Sequence, residues 1–273
     1  MSTRPLTSIS TAAAWLLLGA SSVFSAPAAT TAPAAAPTWE RHAFPLPESI
    51  WSVEAVDVNG DGKLDLIAMG VTKVFALVAP DWKVHVLFDS QEGKMLYCVA
   101  LDVDHDGDRD IALGRYLVPW IDYRQARAEG KEAPLPKGPD FSVGWIENTG
   151  KADEPWPLHV IDRELNGVHG LCVGDVNQDG WPDLMAQSIS GPFFANSVVW
   201  FQGSGPGQNT LQRHVVTKGG TDGRPHYLDF ADLNGDGRGD ILLGDSGAGT
   251  FTWWDRGASL DAPWTKHLIA QEK

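Results

Sequence analysis

The chain has 273 residues, a formal charge of −14 and only two cysteines. No basic stripe exists to carry nucleic-acid binding, and two cysteines cannot make a disulfide framework. Past the N-terminal leader, no stretch is long and apolar enough to span a membrane.

In chain order, the first segment reads as a targeting signal. Arg4 gives a positive start, residues 12–20 form a short apolar core, and Val23, Phe24 and Ser25 make a plausible cleavage triplet. That layout predicts a bacterial-type signal peptide over 1–25 and a secreted or periplasmic mature protein. Residues 26–38 are almost only Ala, Pro and Thr, which cannot form a core and read as a linker. The folded domain is placed at 39–270, enough chain for one large all-β domain with a substantial core. Cys98 and Cys172 sit at different offsets from the repeats described next, so the pattern does not pair them.

Two motifs then alternate along the chain. The first is a nine-residue loop, Asp-x-Asn/Asp-x-Asp-Gly-x-x-Asp, whose copies start at Asp57, Asp102, Asp175 and Asp232, giving spacings of 45, 73 and 57 residues. The second is Trp-x-x-His before apolar residues, at Trp39/His42, Trp82/His85, Trp156/His159, Leu211/His214 and Trp264/His267. Between each loop and the next Trp-x-x-His lies one more strand-like run: 74–78, 144–147, 198–202 and 251–255. Each unit therefore predicts four short antiparallel strands, which is the blade of a β-propeller. The expectation is an all-β propeller with four full blades. The Trp39 segment either closes a ring against the last blade or opens an incomplete fifth. The two longer spacings imply insertions near 116–140 and 188–197.

The loops have the chemistry of a calcium cage. Residues at positions 1, 3 and 5 can aim three side-chain oxygens at one centre. Glycine at position 6 allows the turn that brings in the carbonyl of position 7, and Asp at position 9 can close the cage. The expected ligands are Asp57, Asn59, Asp61, Lys63 and Asp65 in the first loop, and Asp102, Asp104, Asp106, Asp108 and Asp110 in the second. They are Asp175, Asn177, Asp179, Trp181 and Asp183 in the third, and Asp232, Asn234, Asp236, Arg238 and Asp240 in the fourth. Strands rather than helices flank these loops and no Glu stands at position 12, so they are not EF-hands. The loops hold 14 Asp; without them 21 acidic residues balance 21 Lys plus Arg, so the net charge sits where cations would neutralise it. The alternative is a set of Asx turns without metal. Clustered carboxylates would then repel one another, which favours about four structural Ca²⁺.

With their flanking apolar strands, these loops resemble FG-GAP/VCBS repeats, known from integrin-type propellers and many bacterial exported proteins. The resemblance covers roughly 39–270. The family commonly closes with seven blades, more than are present here.

The histidines of Trp-x-x-His read as half-buried packing residues. His169 and His226 differ, since each stands six residues before the first Asp of its loop. Antiparallel connectivity puts Trp51, His169, Arg224, His226 and Tyr227 at the end of the blades opposite the loops. Tyr116, Trp120, Tyr123, Phe193 and Phe194 should share that end. Trp51, Trp120, Tyr123, Phe193 and Phe194 are candidate ligand-binding residues, since aromatic side chains at a propeller mouth suit stacking on sugar rings. Packing within their own loops is the plainer reading.

Two functions follow. One is a non-catalytic exported recognition or scaffold module for glycan or an extracellular or periplasmic protein. The other is a polysaccharide lyase or sugar dehydratase, because similar propellers form the body of some such enzymes. There His169 or Tyr227 would supply the base, and Arg224 or a metal held by His169 and His226 would stabilise the developing charge. No nucleophile elbow, zinc-protease helix or phosphate loop is present, and the balance favours the non-catalytic module.

Overall fold

A computed structural model describes residues 40–272, except 91–92, 117–124, 127–128, 133–140, 207–209 and 261. The expected signal peptide, the whole linker, Trp39, Trp120 and Tyr123 lie outside the described residues. The chain divides into Met1–Ala43 and Phe44–Lys273. Of the first unit only Glu40–Ala43 are described, and these are exposed. The rest concerns the second unit.

Among the described residues, sixteen strands form four four-stranded antiparallel sheets, each a meander in chain order. The first sheet holds β1 (Ser52–Val56), β2 (Asp65–Met69), β3 (Lys73–Val78) and β4 (Lys83–Asp89). The second holds β5 (Lys94–Leu101), β6 (Asp110–Tyr116), β7 (Val143–Ile146) and β8 (Leu158–Asp162). The third holds β9 (Asn166–Gly174), β10 (Asp183–Ser190), β11 (Ser197–Gln202) and β12 (Gln212–Thr217). The fourth holds β13 (Pro225–Ala231), β14 (Asp240–Asp245), β15 (Thr250–Asp255) and β16 (Thr265–Gln271). The strands are short and rich in Val, Ile, Leu, Phe and Trp, residues that suit a pleated, half-buried surface. Face-to-face stacking of successive sheets through their first strands makes this a β-propeller of four blades. β1 and β2 touch β5, β5 and β6 touch β9, and β9 and β10 touch β13.

Between the blades lie three apolar clusters. Ile67, Met69 and Leu87 meet Met95, Cys98 and Ile111; Leu101, Ala112 and Trp145 meet Leu171 and Leu184; Met185 and Trp200 meet Leu228 and Ile241. Both cysteines are free and buried in this packing. Burial also pushes the Cys98 thiol up to about 12.

The Trp-x-x-His motif has a plain structural role. Its first residue packs toward the preceding blade: Trp156 in the cluster shared with the first blade, Leu211 with the second and Trp264 with the third. Its histidine stacks on a tryptophan of the third strand. The pairs are His159 on Trp145 at 4.3 Å, His214 on Trp200 at 4.2 Å and His267 on Trp253 at 4.2 Å. In the first blade Ala76 faces His85 and no such stack forms.

The N-terminal Trp-x-x-His does not continue this pattern. Glu40–Ile50 forms no strand. Pro45 and Pro47 lack the N–H groups that a ladder needs. Phe44, Leu46 and Ile50 instead lie with Trp82 over Ala68, Phe75 and Leu77 of the first sheet. Glu48 fastens the segment by accepting the Thr72 amide proton at 2.8 Å.

Candidate functional site

The four Asp-rich loops are the β1–β2, β5–β6, β9–β10 and β13–β14 turns, all at one end of the blades. Their backbones are copies of one another. The glycine at position 6 is left-handed in each, with φ of 80° at Gly62, 101° at Gly107, 90° at Gly180 and 82° at Gly237. Position 4 is left-handed too, whether it is Gly60, His105, Gln178 or Gly235. That curl turns the side chains of positions 1, 3 and 5 inward onto the loop's own amides. In the first loop Asp57 accepts from Asp61 N and Gly62 N at 3.1 and 2.8 Å, Asn59 accepts from Asp61 N at 3.0 Å, and Asp61 accepts from Lys63 N at 2.9 Å. The third loop repeats these bonds through Asp175, Asn177 and Asp179. The fourth repeats them through Asp232, Asn234 and Asp236.

The second loop concentrates the most charge. One oxygen each from Asp102, Asp104 and Asp106 lie within 4.8 Å of one another. Asp102 Oδ1 is buried with no hydrogen-bond partner among the described residues. Burial, then the charges of Asp106, Asp104 and Asp102, pushes Asp108 up to about 6. Asp104 is raised by burial and by Asp106. Three converging hard oxygens, with an orphaned oxygen on Asp102, fit a calcium ion well, and the Asp108 carbonyl would be a further oxygen. The other loops present an Asn amide oxygen at position 3, a neutral donor of the same hardness. A cavity of about 380 Å³ opens beside the second loop, lined by Asp102, Asp108, Arg109 and, from the next blade, Val173 and Pro182.

Position 9 does a job that its spacing does not reveal. Asp65, Asp110, Asp183 and Asp240 are all buried. Asp65 accepts the amides of Val58 at 3.0 Å and Ala79 at 2.8 Å, and Asp110 those of Val103 at 2.9 Å and Asn148 at 2.8 Å. Asp183 accepts from Val176 and Gly203, both at 2.8 Å, and Asp240 from Leu233 at 3.0 Å. In the first three blades the carboxylate thus clamps the loop's second residue to the end of the third strand. Burial outweighs these bonds and pushes Asp110 up to about 8 and Asp183 up to about 6. Nothing in the motif's spacing reveals this clamp; burial and the long-range amide partners do, and Asp240 Oδ1 still has no hydrogen-bond partner among the described residues.

Successive loops are also joined sideways. His105 stacks on Trp181 at 4.5 Å and bonds the Ser204 carbonyl through Nε2. Gln178 donates to the Gly237 carbonyl at 2.7 Å, and Arg256 donates to the Val176 carbonyl.

At the opposite end, the structure brings together two of the expected residues. His169 of β9 and His226 of β13 stack at 4.4 Å, with Tyr116 at 6.3 Å from His169. Burial, then the neighbouring His226, holds His169 down to about 4. Tyr227 is not part of this pair: it lies on the outward face of the fourth sheet, 71% exposed. The Arg224 backbone donates to Asp245 at 2.8 Å and accepts from Ser246 at 2.9 Å. Trp51 and Phe193 are exposed, as a binding aromatic would be. Phe194 is buried, and the Arg213 guanidinium and Lys218 ammonium lie over its ring at 4.3 and 4.6 Å. It is a packing residue of its own turn.

Fold and loops together define a propeller whose blades are Asp-loop repeats. The family model described as the FG-GAP-like repeat matches residues 175–243, from the third loop through the fourth and into β14. No curated protein sequence matches the chain. Among solved structures, a lectin of Agrocybe aegerita, described for specific recognition of non-reducing terminal N-acetylglucosamine, is similar at 16% identity with a TM-score of 0.48. The likeness covers 80% of this chain and 51% of that one, so this chain spans about half the length of the lectin.

Proposed function

We propose that this chain is an exported calcium-binding propeller that acts as a non-catalytic recognition module for a glycan or an extracellular or periplasmic protein. The carrying observation is the convergence of Asp102, Asp104 and Asp106 within 4.8 Å beside an orphaned buried oxygen. Such a set is repulsive alone and stabilised by a divalent ion. The ion's role is structural: it would hold each β-hairpin turn in the curl that the amide bonds already describe. Glycan recognition is supported by exposed Trp51 and Phe193 at the end opposite the loops.

Calorimetric titration of metal-stripped protein with Ca²⁺, followed by thermal melts, tests the metal reading. Binding of each ion at about 100-fold over its Kd stabilises by about 2.7 kcal/mol. Four sites would therefore raise Tm by about 20–40 °C in a domain of this size. Melts indifferent to chelator would remove the proposal. A glycan array on the calcium-loaded chain tests the partner: signal lost in Trp51→Ala supports sugar stacking, and no signal leaves protein recognition.

The second reading, a lyase or sugar dehydratase, draws on the His169–His226 stack, whose buried member stays neutral at pH 7 and could accept a proton. The outward direction of Tyr227 takes one expected group away from it. Turnover of uronate polysaccharides followed by ultraviolet absorbance, and abolished in the His169→Ala/His226→Ala variant, would establish this reading.

A further inference from the structure

Three Asn-Gly steps occur in the chain, at Asn59-Gly60, Asn166-Gly167 and Asn234-Gly235. Asparagine is thermally labile, and a glycine after it leaves the next backbone nitrogen an open path to the side-chain carbon. The three steps share their two residues and differ in surroundings. Asn59 and Asn234 hold position 3 of the first and fourth loops and are exposed together with their glycines. A Cβ on Gly60 or Gly235 would meet nothing within 4 Å, so both nitrogens are unobstructed. Asn166 and Gly167 are buried in β9. There Asn166 Nδ2 donates to Ser190 Oγ at 3.0 Å, and a Cβ on Gly167 would lie 2.5 Å from Ile189 and 3.0 Å from Tyr116.

The curl of the loops also prepares the side-chain amide for attack. Asp61 N–H donates to Asn59 Oδ1 at 3.0 Å, and Asp236 N–H donates to Asn234 Oδ1 at 2.9 Å. Those oxygens gather negative charge when a nucleophile adds to the amide carbon, so each donor serves as a small oxyanion hole. The two loops differ at the nucleophile. Gly235 N–H donates to Asp232 Oδ1 at 2.7 Å, a bond to a carboxylate that holds its proton against removal. Gly60 N–H makes no such bond among the described residues. The Asp-Gly steps at positions 5 and 6 are worse placed on both counts. A carboxylate resists addition, and Gly62, Gly107, Gly180 and Gly237 all donate to the Asp at position 1.

We infer that Asn59 is a self-modification site, deamidated by the backbone of its own loop. Hydroxide removes the Gly60 amide proton, and Gly60 N adds to Asn59 Cγ. The bond from Cγ to the side-chain nitrogen breaks, ammonia leaves, and a succinimide ring closes between the two residues. Water then opens the ring at either of its two carbonyls. Opening one way leaves an aspartate, which gives the first loop the acids that Asp102, Asp104 and Asp106 give the second. Opening the other way leaves an isoaspartate, which routes the main chain through the side-chain carbon and lengthens the curl that seats the Asp61 and Gly62 amides. Both products add a negative charge to the loop. The inference does not depend on what the loops bind.

The experiment is a timed incubation of the full chain in mildly alkaline buffer with chelator, with circular dichroism to follow the fold. Peptide mapping by mass spectrometry reads the amide-to-acid change at each site, and an isoaspartate-specific methyltransferase reads the rearranged product. A parallel sample in urea gives the rates without structure, where the three Asn-Gly steps should convert alike. In the folded chain Asn59 should convert first, with both products formed. Asn234 should be about tenfold slower, the factor that about 1.4 kcal/mol from its charge-assisted bond imposes on a rate. Asn166 should stay intact over the same interval. Gly60→Ala should suppress conversion at Asn59 and leave Asn234 unchanged, and Asn59→Gln should abolish it, since the longer side chain would have to close a larger ring. An Asn59 that survives in the folded chain while it converts in urea would overturn the inference. So would an Asn166 that keeps pace with it. Equal rates at Asn59 and Asn234 would overturn the role given to the Gly60 amide.

Discussion

The outer loops and the inner loops share a backbone but differ at the two positions where a side chain has a choice. In the first and fourth loops position 4 is Gly60 or Gly235 and position 7 is a cation. Lys63 reaches Asp61 at 3.1 Å, and Arg238 pairs with Asp236. These loops carry an internal counterion, which with the Lys63 amide holds Asp61 below the usual carboxylate range. In the second and third loops position 4 is His105 or Gln178, both left-handed at φ 62°, and position 7 is Asp108 or Trp181. A non-glycine residue in that region costs about 1–2 kcal/mol. Each of these two reaches across to the following blade, and that contact offsets the cost. The inner loops therefore trade local comfort and self-neutralisation for coupling between blades.

The largest expected effect tests what the two kinds of loop have in common. Asp110→Ala in an inner loop removes the partner of two buried amides, Val103 and Asn148. Leaving each donor unsatisfied costs about 1–3 kcal/mol, so the total is about 2–6 kcal/mol, or about 10 °C in Tm. Asp65→Ala in an outer loop orphans Val58 and Ala79 and should cost the same. Thermal melts of the chelated proteins measure both without interference from metal. A cost confined to the inner loop would mean that the clamp is not a common feature, and the contrast between loops would run deeper than positions 4 and 7.

A smaller effect isolates the coupling itself. His105→Gly relieves the left-handed backbone but gives up the Trp181 stack and the Ser204 bond. These are worth roughly 2 kcal/mol together against about 1 kcal/mol regained, so a net loss of about 1 kcal/mol and about 3 °C is expected. In the outer loop the sign of the glycine argument reverses. A Cβ on Gly60 would meet nothing within 4 Å, so Gly60→Ala costs only its conformation, about 1 kcal/mol. If His105→Gly stabilised the protein, the sideways contacts would carry no energy and the inner loops would be strained for some other reason.

How much of this was legible beforehand follows from which features are local. The nine-residue loops, their flanking strands and the third-strand runs were readable because each is a short pattern with a short-range cause. β3, β7, β11 and β15 fall where the apolar runs stood. The histidines of Trp-x-x-His were readable as packing residues, but not their stacking partners. Trp145, Trp200 and Trp253 are matched to them only through the register of two strands. The clamp at position 9 was hidden for a like reason. An Asp shows that role only once the amides of Ala79, Asn148 and Gly203 arrive from a distant strand. At the opposite end, His169 and His226 were rightly placed on one edge, while Tyr227 was not separable from them. A bulge between Pro225 and Tyr227 lies at that point of the strand.

The smallest expected effect concerns that opposite end, away from the Asp-rich loops. His169 of β9 faces His226 of β13 and Tyr116 of β6, with no carboxylate paired to it among the described bonds. Its pKa is lowered from 6.5 to about 4 by burial and by His226. The unfolded chain therefore takes up a proton near pH 6.5 that the folded chain refuses until about pH 4. Stability tied to the neutral ring is complete above the unfolded value and is lost as pH falls through this window. Because the ring is only partly buried, solvent screening reduces the loss below what the shift alone implies. Denaturant melts at pH 7 and pH 5 should show the wild type less stable at the lower pH and His169→Gln with a shallower dependence. A variant with an unchanged pH slope would place the titrating group elsewhere, and the acid sensitivity of this protein would then belong to its carboxylate loops.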